Sequence, residues 1–166
     1  LSSAYPSRSD QLVAEAAIQL LWDGTDGISY LRRVTRLPFE DHAPKHMLVD
    51  IARGDHQVAT VTTENAARST VQLPVLENFD DERTVPLAET VSYPHDGNGL
   101  VNWSFGNPWP PAGNLPPPEG SLDPHSSARH MDAHQRQIAH FFKTGTIIDV
   151  CNSAPCPNWM PKEGSP

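Results

Sequence analysis

The chain has 166 residues, enough for one domain or for part of a larger one. Its 20 acidic residues outnumber 12 basic ones, and the resulting formal charge of −8 argues against a nucleic-acid surface, because phosphate binding needs a basic face. No apolar run approaches 18 residues, so the sequence holds no membrane-spanning helix.

Seventeen prolines and ten glycines predict long irregular connections, and 7% aromatic residues predict a modest core. The chain opens on Leu1 without a charged stretch followed by an apolar one. It therefore reads as a processed chain or a piece of a longer one. Three parts are expected: a helical cap or connecting region over 1–44, an α/β portion over 45–150, and a cysteine loop with a flexible tail over 151–166.

After a polar lead-in, Ser9 or Asp10 is placed to cap a helix in which Leu12, Val13, Ala16, Ala17, Leu20 and Leu21 recur at helical spacing. Asp23-Gly24 stops it. Asp26-Gly27 opens a second helix with Ile28, Leu31 and Val34 on one face. Arg32, Arg33 and Arg36 form its solvated side and complement its C-terminal dipole.

The stretch Lys45–Arg68 organises the rest. Met47–Ala52 predicts a buried strand with Asp50 as its charged interruption. Arg53-Gly54-Asp55-His56 is a tight polar turn, and Thr62–Val71 predicts a helix. Strand, turn and helix are the unit of α/β sheets. Pro74–Pro94 has room for one or two short strands, with Asp80, Asp81 and Glu82 in a solvated loop. Gly99–Phe105 is the second clear strand, after the turn residues Asp96-Gly97-Asn98. A long Pro-rich loop covers Gly106–Ser121. A closing helix runs over Ala128–Lys143, with Ile138, Phe141 and Phe142 inward and Thr144-Gly145 as its stop. Thr146–Val150 is a short apolar segment leading to the cysteines.

Asp55 stands where open α/β sheets place their chemistry, at the carboxyl end of a strand. A triad acid must be held rigidly and aimed at a histidine. A second reading stands beside that one, in which Asp55 closes its own turn or caps the next helix. His125, on a loop after a strand, suits a general base; alternatively it is an exposed loop histidine. His130 and His134 stand four apart on the closing helix and read as a solvated face. A metal site on His125, His130 and His134 is the competing idea, weakened because Met131 stands where a zinc-protease helix needs glutamate. The sequence calls for neither a metal nor another cofactor. Cys151 and Cys156, in CNSAPC, fit a local disulfide and hence an oxidising compartment, against two free thiols. There is no G-x-S-x-G and so no nucleophile elbow.

The order of these features resembles the C-terminal part of the α/β-hydrolase fold, and more narrowly a group of secreted bacterial lipase-like or esterase-like proteins. The resemblance rests on the GDHQV turn at Gly54–Val58, the Asp123-Pro124-His125 loop, the QIAHFF helix end before Thr144-Gly145, and the cysteine pair. It covers roughly Met47–Cys156. It implies a C-terminal part of a hydrolase-type parallel sheet, flanked by helices and long Pro-rich loops. Asp55 would be the triad acid, His125 the base, and the substrate an ester or lipid. The serine would come from an N-terminal part of the same protein or from a partner chain. It also implies a secreted or periplasmic protein. Met47–Ala52 and Leu100–Phe105 would then be a two-stranded remnant. Alone, such a remnant is expected to expose an apolar sheet edge, to aggregate and to hydrolyse nothing. The alternative is a non-catalytic binding module using the Pro/Trp-rich loop 106–121, with Trp103 and Trp109 as its contact surface.

Overall fold

Five consecutive strand residues, Gly99–Trp103, are all buried, and the fold is built around them. The computed structural model describes residues 3–68, 73–76, 88–105, 120 and 122–152. The elements in chain order are α1 (Arg8–Trp22), α2 (Gly27–Thr35), β1 (Leu48–Ala52), α3 (Thr60–Ala66), β2 (Val75–Leu76), β3 (Thr90–Val91), β4 (His95–Asp96), β5 (Gly99–Trp103), α4 (Asp132–Thr144) and β6 (Thr146–Ile147). A short 3₁₀ turn, Ala128–His130, precedes α4.

The main sheet has the order β1-β5-β2-β3, and each of its pairings is parallel. The chain is thus α/β, with helices flanking a parallel sheet. Four strands form it: to the two-stranded remnant that the resemblance implies, the Pro74–Pro94 segment, with room for one or two short strands, adds β2 beside β5 and β3 beside β2. β4 and β6 pair antiparallel in a separate ribbon, which brings the chain back after α4.

Side chains alternate across the sheet, as a period of two requires. Leu48, Val101 and Trp103 face one side, where they meet Met131 and Phe141 at and within α4. Val49, Ile51 and Leu100 face the other, where Ala67 after α3 and Leu31 of α2 cover them. Leu100 and Ile147 are fully buried. Burying a side chain of that size contributes about 1.5–3 kcal/mol. β5 packs so closely that a Cβ at Gly99 would run into Ile147 Cδ1 and Leu76 Cδ2.

Several local expectations shift. Ser7, not Ser9 or Asp10, caps α1 by accepting from the Asp10 amide. None of the α1 residues is buried, and Leu12, Val13, Leu20, Leu21 and Trp22 all lie on the surface. The helical spacing was sound, but within the described residues nothing packs over that stripe. Asp26 caps α2 through its carboxylate and the Ile28 amide. On α4, Phe141 is buried whereas Phe142 is 81% exposed, since the inward face follows His134, Gln137 and Phe141. Gly145 adopts the left-handed conformation that ends α4. Of the Pro-rich loop 106–121, only Gly120 is among the described residues, and the acidic cluster 80–82, Trp109, Cys156 and the tail lie outside them.

Candidate active site

The exit of β1 fixes the first candidate side chain. The Arg53 amide donates to the Trp103 carbonyl, extending the β1–β5 ladder by one residue. The chain then turns sharply. The Asp55 amide donates back to the Ala52 carbonyl, and Gly54 takes φ 79°, a conformation glycine adopts without steric cost. Asp55 emerges with its carboxylate held from behind, because Oδ1 accepts from the amides of Gln57 at 2.7 Å and Val58 at 2.8 Å. The turn-closing reading of Asp55 therefore holds. The helix-capping one does not, since α3 begins after Ala59 without a side-chain cap.

The second side chain comes from the segment before α4. The Ser127 amide donates to the Pro124 carbonyl and the His130 amide to the Ser127 carbonyl, winding this segment into tight turns. His125 stands at their start. Its Nδ1 lies 2.9 Å from Asp55 Oδ2 and 3.1 Å from Oδ1. That separation falls within the reach required of a base and the acid that orients it. An ionised carboxylate only accepts, so Nδ1 carries the proton and Nε2 is left as the basic nitrogen. Asp55 is 10% exposed and His125 27%, so the acid is shielded while the imidazole reaches solvent.

Asp123 ties the two segments together. Its Oδ1 accepts from the His125 amide at 3.0 Å and the His56 amide at 3.2 Å, and its Oδ2 accepts from Gln57 Nε2 at 3.0 Å. Partial burial pushes the Asp123 carboxyl upward. The hydrogen bonds from Gln57, His125 and His56, together with the nearby His56 charge, outweigh that and hold it below the ordinary aspartate value. His56 is half-buried in this contact.

A second acid and histidine lie next to the first. Asp50 projects from β1 toward α4, and its Oδ1 accepts from Trp103 Nε1 at 2.8 Å. His134 Nε2 lies 3.2 Å from Asp50 Oδ2, an ion-pair distance without hydrogen-bond alignment, and neither of its ring nitrogens has a hydrogen-bond partner. The His134 ring meets Trp103 edge-on, with centroids 5.1 Å apart. His134 is buried, which corrects the expectation of a solvated face. His130 belongs to the 3₁₀ turn, and Met131 is extended, so the two histidines do not share one helical face. His130 Nδ1 instead donates to the Ser126 carbonyl. Among the described residues, no three histidine, cysteine, aspartate or glutamate side chains are grouped to hold a metal ion.

Both pairs open onto one cleft of about 300 Å³, lined among others by Asp50, Asp55, Thr60, Thr63, His125 and His134. Its described lining includes neither serine nor cysteine. Trp103 is buried and engaged with Asp50, so it is no part of an exposed aromatic surface. Sequence reading passed over Asp50 as an interruption, although a charge inside an otherwise apolar strand already signals a buried partner. Among the described residues, no helix is long and apolar enough to cross a membrane.

No protein-family model matches this chain, and no curated protein or solved structure shows significant similarity to it.

Proposed function

We propose that the chain supplies the acid and the base of a serine hydrolase of the α/β-hydrolase type, acting on an ester or lipid, with the serine contributed from outside these residues. The observation that carries this reading is the Asp55–His125 contact at the carboxyl end of adjacent parallel strands. The contact fixes the imidazole tautomer with Nε2 free, as acyl transfer requires.

In the proposed reaction, His125 Nε2 takes the hydroxyl proton as the serine oxygen bonds to the ester carbonyl carbon. Asp55 stabilises the imidazolium without itself being protonated. The proton then passes to the leaving alkoxide as the ester C–O bond breaks. Water, deprotonated by the same nitrogen, releases the acid and restores the serine. The serine-bearing portion, from the same protein or a partner chain, would also cover apolar surface. The exposed stripe of α1 is consistent with such a contact. A disulfide between Cys151 and Cys156 and a secreted or periplasmic location belong to the same reading. Cys151 is buried at the head of that loop.

The test is turnover of a p-nitrophenyl ester by the protein purified from its natural source together with any partner chain captured with it. Turnover that disappears in both His125→Ala and Asp55→Asn is the expected result. Turnover that survives both substitutions contradicts the proposal. Turnover by the 166-residue chain alone, lost on His125→Ala, contradicts the external serine.

A further inference from the structure

The proposed chemistry requires two segments far apart in sequence to hold Asp55 and His125 within one hydrogen bond. Asp55 sits on the turn leaving β1, and His125 lies 70 residues later, ahead of α4. Neither residue is inside a strand or helix, so sheet register alone does not set their separation. A loop-borne base displaced by about 1 Å loses much of its effectiveness. Something must lock the two segments together.

We propose that Asp123 is a positioning residue that locks the Asp55 turn onto the His125 loop, setting the acid–base distance from the side opposite the reacting nitrogen. This inference rests on the reading of Asp55 and His125 as an acid–base pair. Asp123 Oδ1 accepts from the backbone amide of His125 itself and from that of His56, the neighbour of Asp55. One oxygen atom thereby bridges the two main chains that carry the pair. Asp123 Oδ2 accepts from the Gln57 side chain, while the Gln57 amide donates to Asp55. The acid, its turn and the base loop thus form one closed hydrogen-bonded ring. Pro124, buried between Asp123 and His125, fixes φ and narrows the conformations that could open it. The carboxyl of Asp123 lies below the ordinary aspartate range, so at neutral pH the lock is anionic and its bonds are charge-assisted.

The proposal makes a specific claim about oxygen. An acceptor at the Oδ1 position is what matters, and an asparagine carbonyl supplies one. Asp123→Asn should therefore keep the lock, whereas Asp123→Ala should lose it.

The experiment is a proton–nitrogen NMR spectrum of the full 166-residue chain with labelled histidine, together with thermal unfolding of each variant. The native chain is expected to show a downfield His125 Nδ1–H resonance, protected from solvent exchange by Asp55 and absent in Asp55→Ala. Asp123→Asn should retain it, and Asp123→Ala should lose it while still unfolding cooperatively at a melting temperature only slightly lowered. If the alanine variant does not fold, Asp123→Ser carries the same test. Its shorter side chain can still accept from the His125 amide but falls short of the His56 amide, so the resonance should be lost. A native chain without the resonance contradicts the acid–base reading itself. A native chain that has it, with a folded Asp123→Ala or Asp123→Ser variant that keeps it, contradicts the lock alone. Loss of the resonance in a folded Asp123→Asn variant also contradicts the lock, since it would make charge rather than the acceptor decisive.

Discussion

Asp55 with His125 and Asp50 with His134 are the same two side-chain types, drawn from one strand and its exit turn and from neighbouring parts of the segment around α4. Their settings separate them. The Asp55 carboxylate is held by two backbone amides and bonds His125 through Nδ1, and the imidazole is partly exposed to a cleft. Asp50 is held by the Trp103 indole, and its histidine is buried and without aligned hydrogen bonds. A pair at the end of a strand, on turns, is free to meet a substrate. In the mid-strand pair the histidine is packed beneath α4, although Asp50 lines the same cleft and is 19% exposed. The difference teaches that an acid and a histidine in contact do not by themselves make a catalytic site. What separates the two is the imidazole: His125 is bound to its carboxylate through Nδ1 and partly exposed, whereas His134 is buried and unaligned with Asp50.

Substitutions that separate activity from stability test this division. The largest effect is expected from His125→Ala in the serine-bearing protein. Its turnover should fall by about 10⁴-fold or more, with the melting temperature nearly unchanged, because the imidazole is partly solvated. Asp55→Asn should come next, at about 10³–10⁴-fold, since an amide in place of the carboxylate favours the wrong imidazole tautomer. Steady-state kinetics on the two variants checks both.

For the other pair the order reverses. Asp50→Ala leaves the buried Trp103 indole N–H without its acceptor and should cost about 1–3 kcal/mol of stability. In a chain of this size that is a few degrees in melting temperature, about 2–4 °C per kcal/mol. His134→Phe keeps an aromatic ring against Trp103 and removes two nitrogens without hydrogen bonds, at the cost of a slightly larger ring and of the contact with Asp50. It should be within about 1 kcal/mol of neutral in a denaturant titration. If His134→Phe abolished turnover in a fully folded protein, the division between the pairs would collapse.

The smallest effect is a pH dependence. Asp123 has a folded value below its unfolded one. Its contribution to stability is therefore complete above the ordinary value of about 3.9 and is lost as pH falls through the lower folded value. The stability gap between the native chain and Asp123→Asn, followed by urea unfolding, should be constant at neutral pH and close in that acidic window. Because Asp123 is largely exposed, solvent screening keeps the gap small.

Local chemistry made part of this legible. The strand over Met47–Ala52, the Gly54 turn and the Gly145 stop follow from apolar runs and glycine placement, and β1, the turn and the end of α4 agree with them within a residue, whereas α4 begins at Asp132, four residues after the expected Ala128. Asp55 and His125 could be picked out because a strand end followed by a polar turn is local information. Their contact could not, since it depends on how two segments 70 residues apart meet. His134 was misplaced for a different reason. The four-residue spacing from His130 implies a shared face only on a continuous helix, and the extended Met131 breaks it. Asp50 needed the parallel register of β1 on β5 to bring Trp103 beside it, which no single segment encodes. The apolar stripe on α1 follows the opposite logic. Its periodicity was plain, but periodicity says only that a face is apolar, not what covers it.

The most direct measurement is covalent labelling with a fluorophosphonate, which reacts with an activated serine. It would be applied in cells that produce the protein naturally, followed by affinity capture on this chain and peptide mapping of the polypeptide and of whatever is captured with it. The account predicts one labelled serine outside residues 1–166, with labelling lost in His125→Ala. No label on the polypeptide or on any captured partner, or a label on a residue within 1–166, would contradict it.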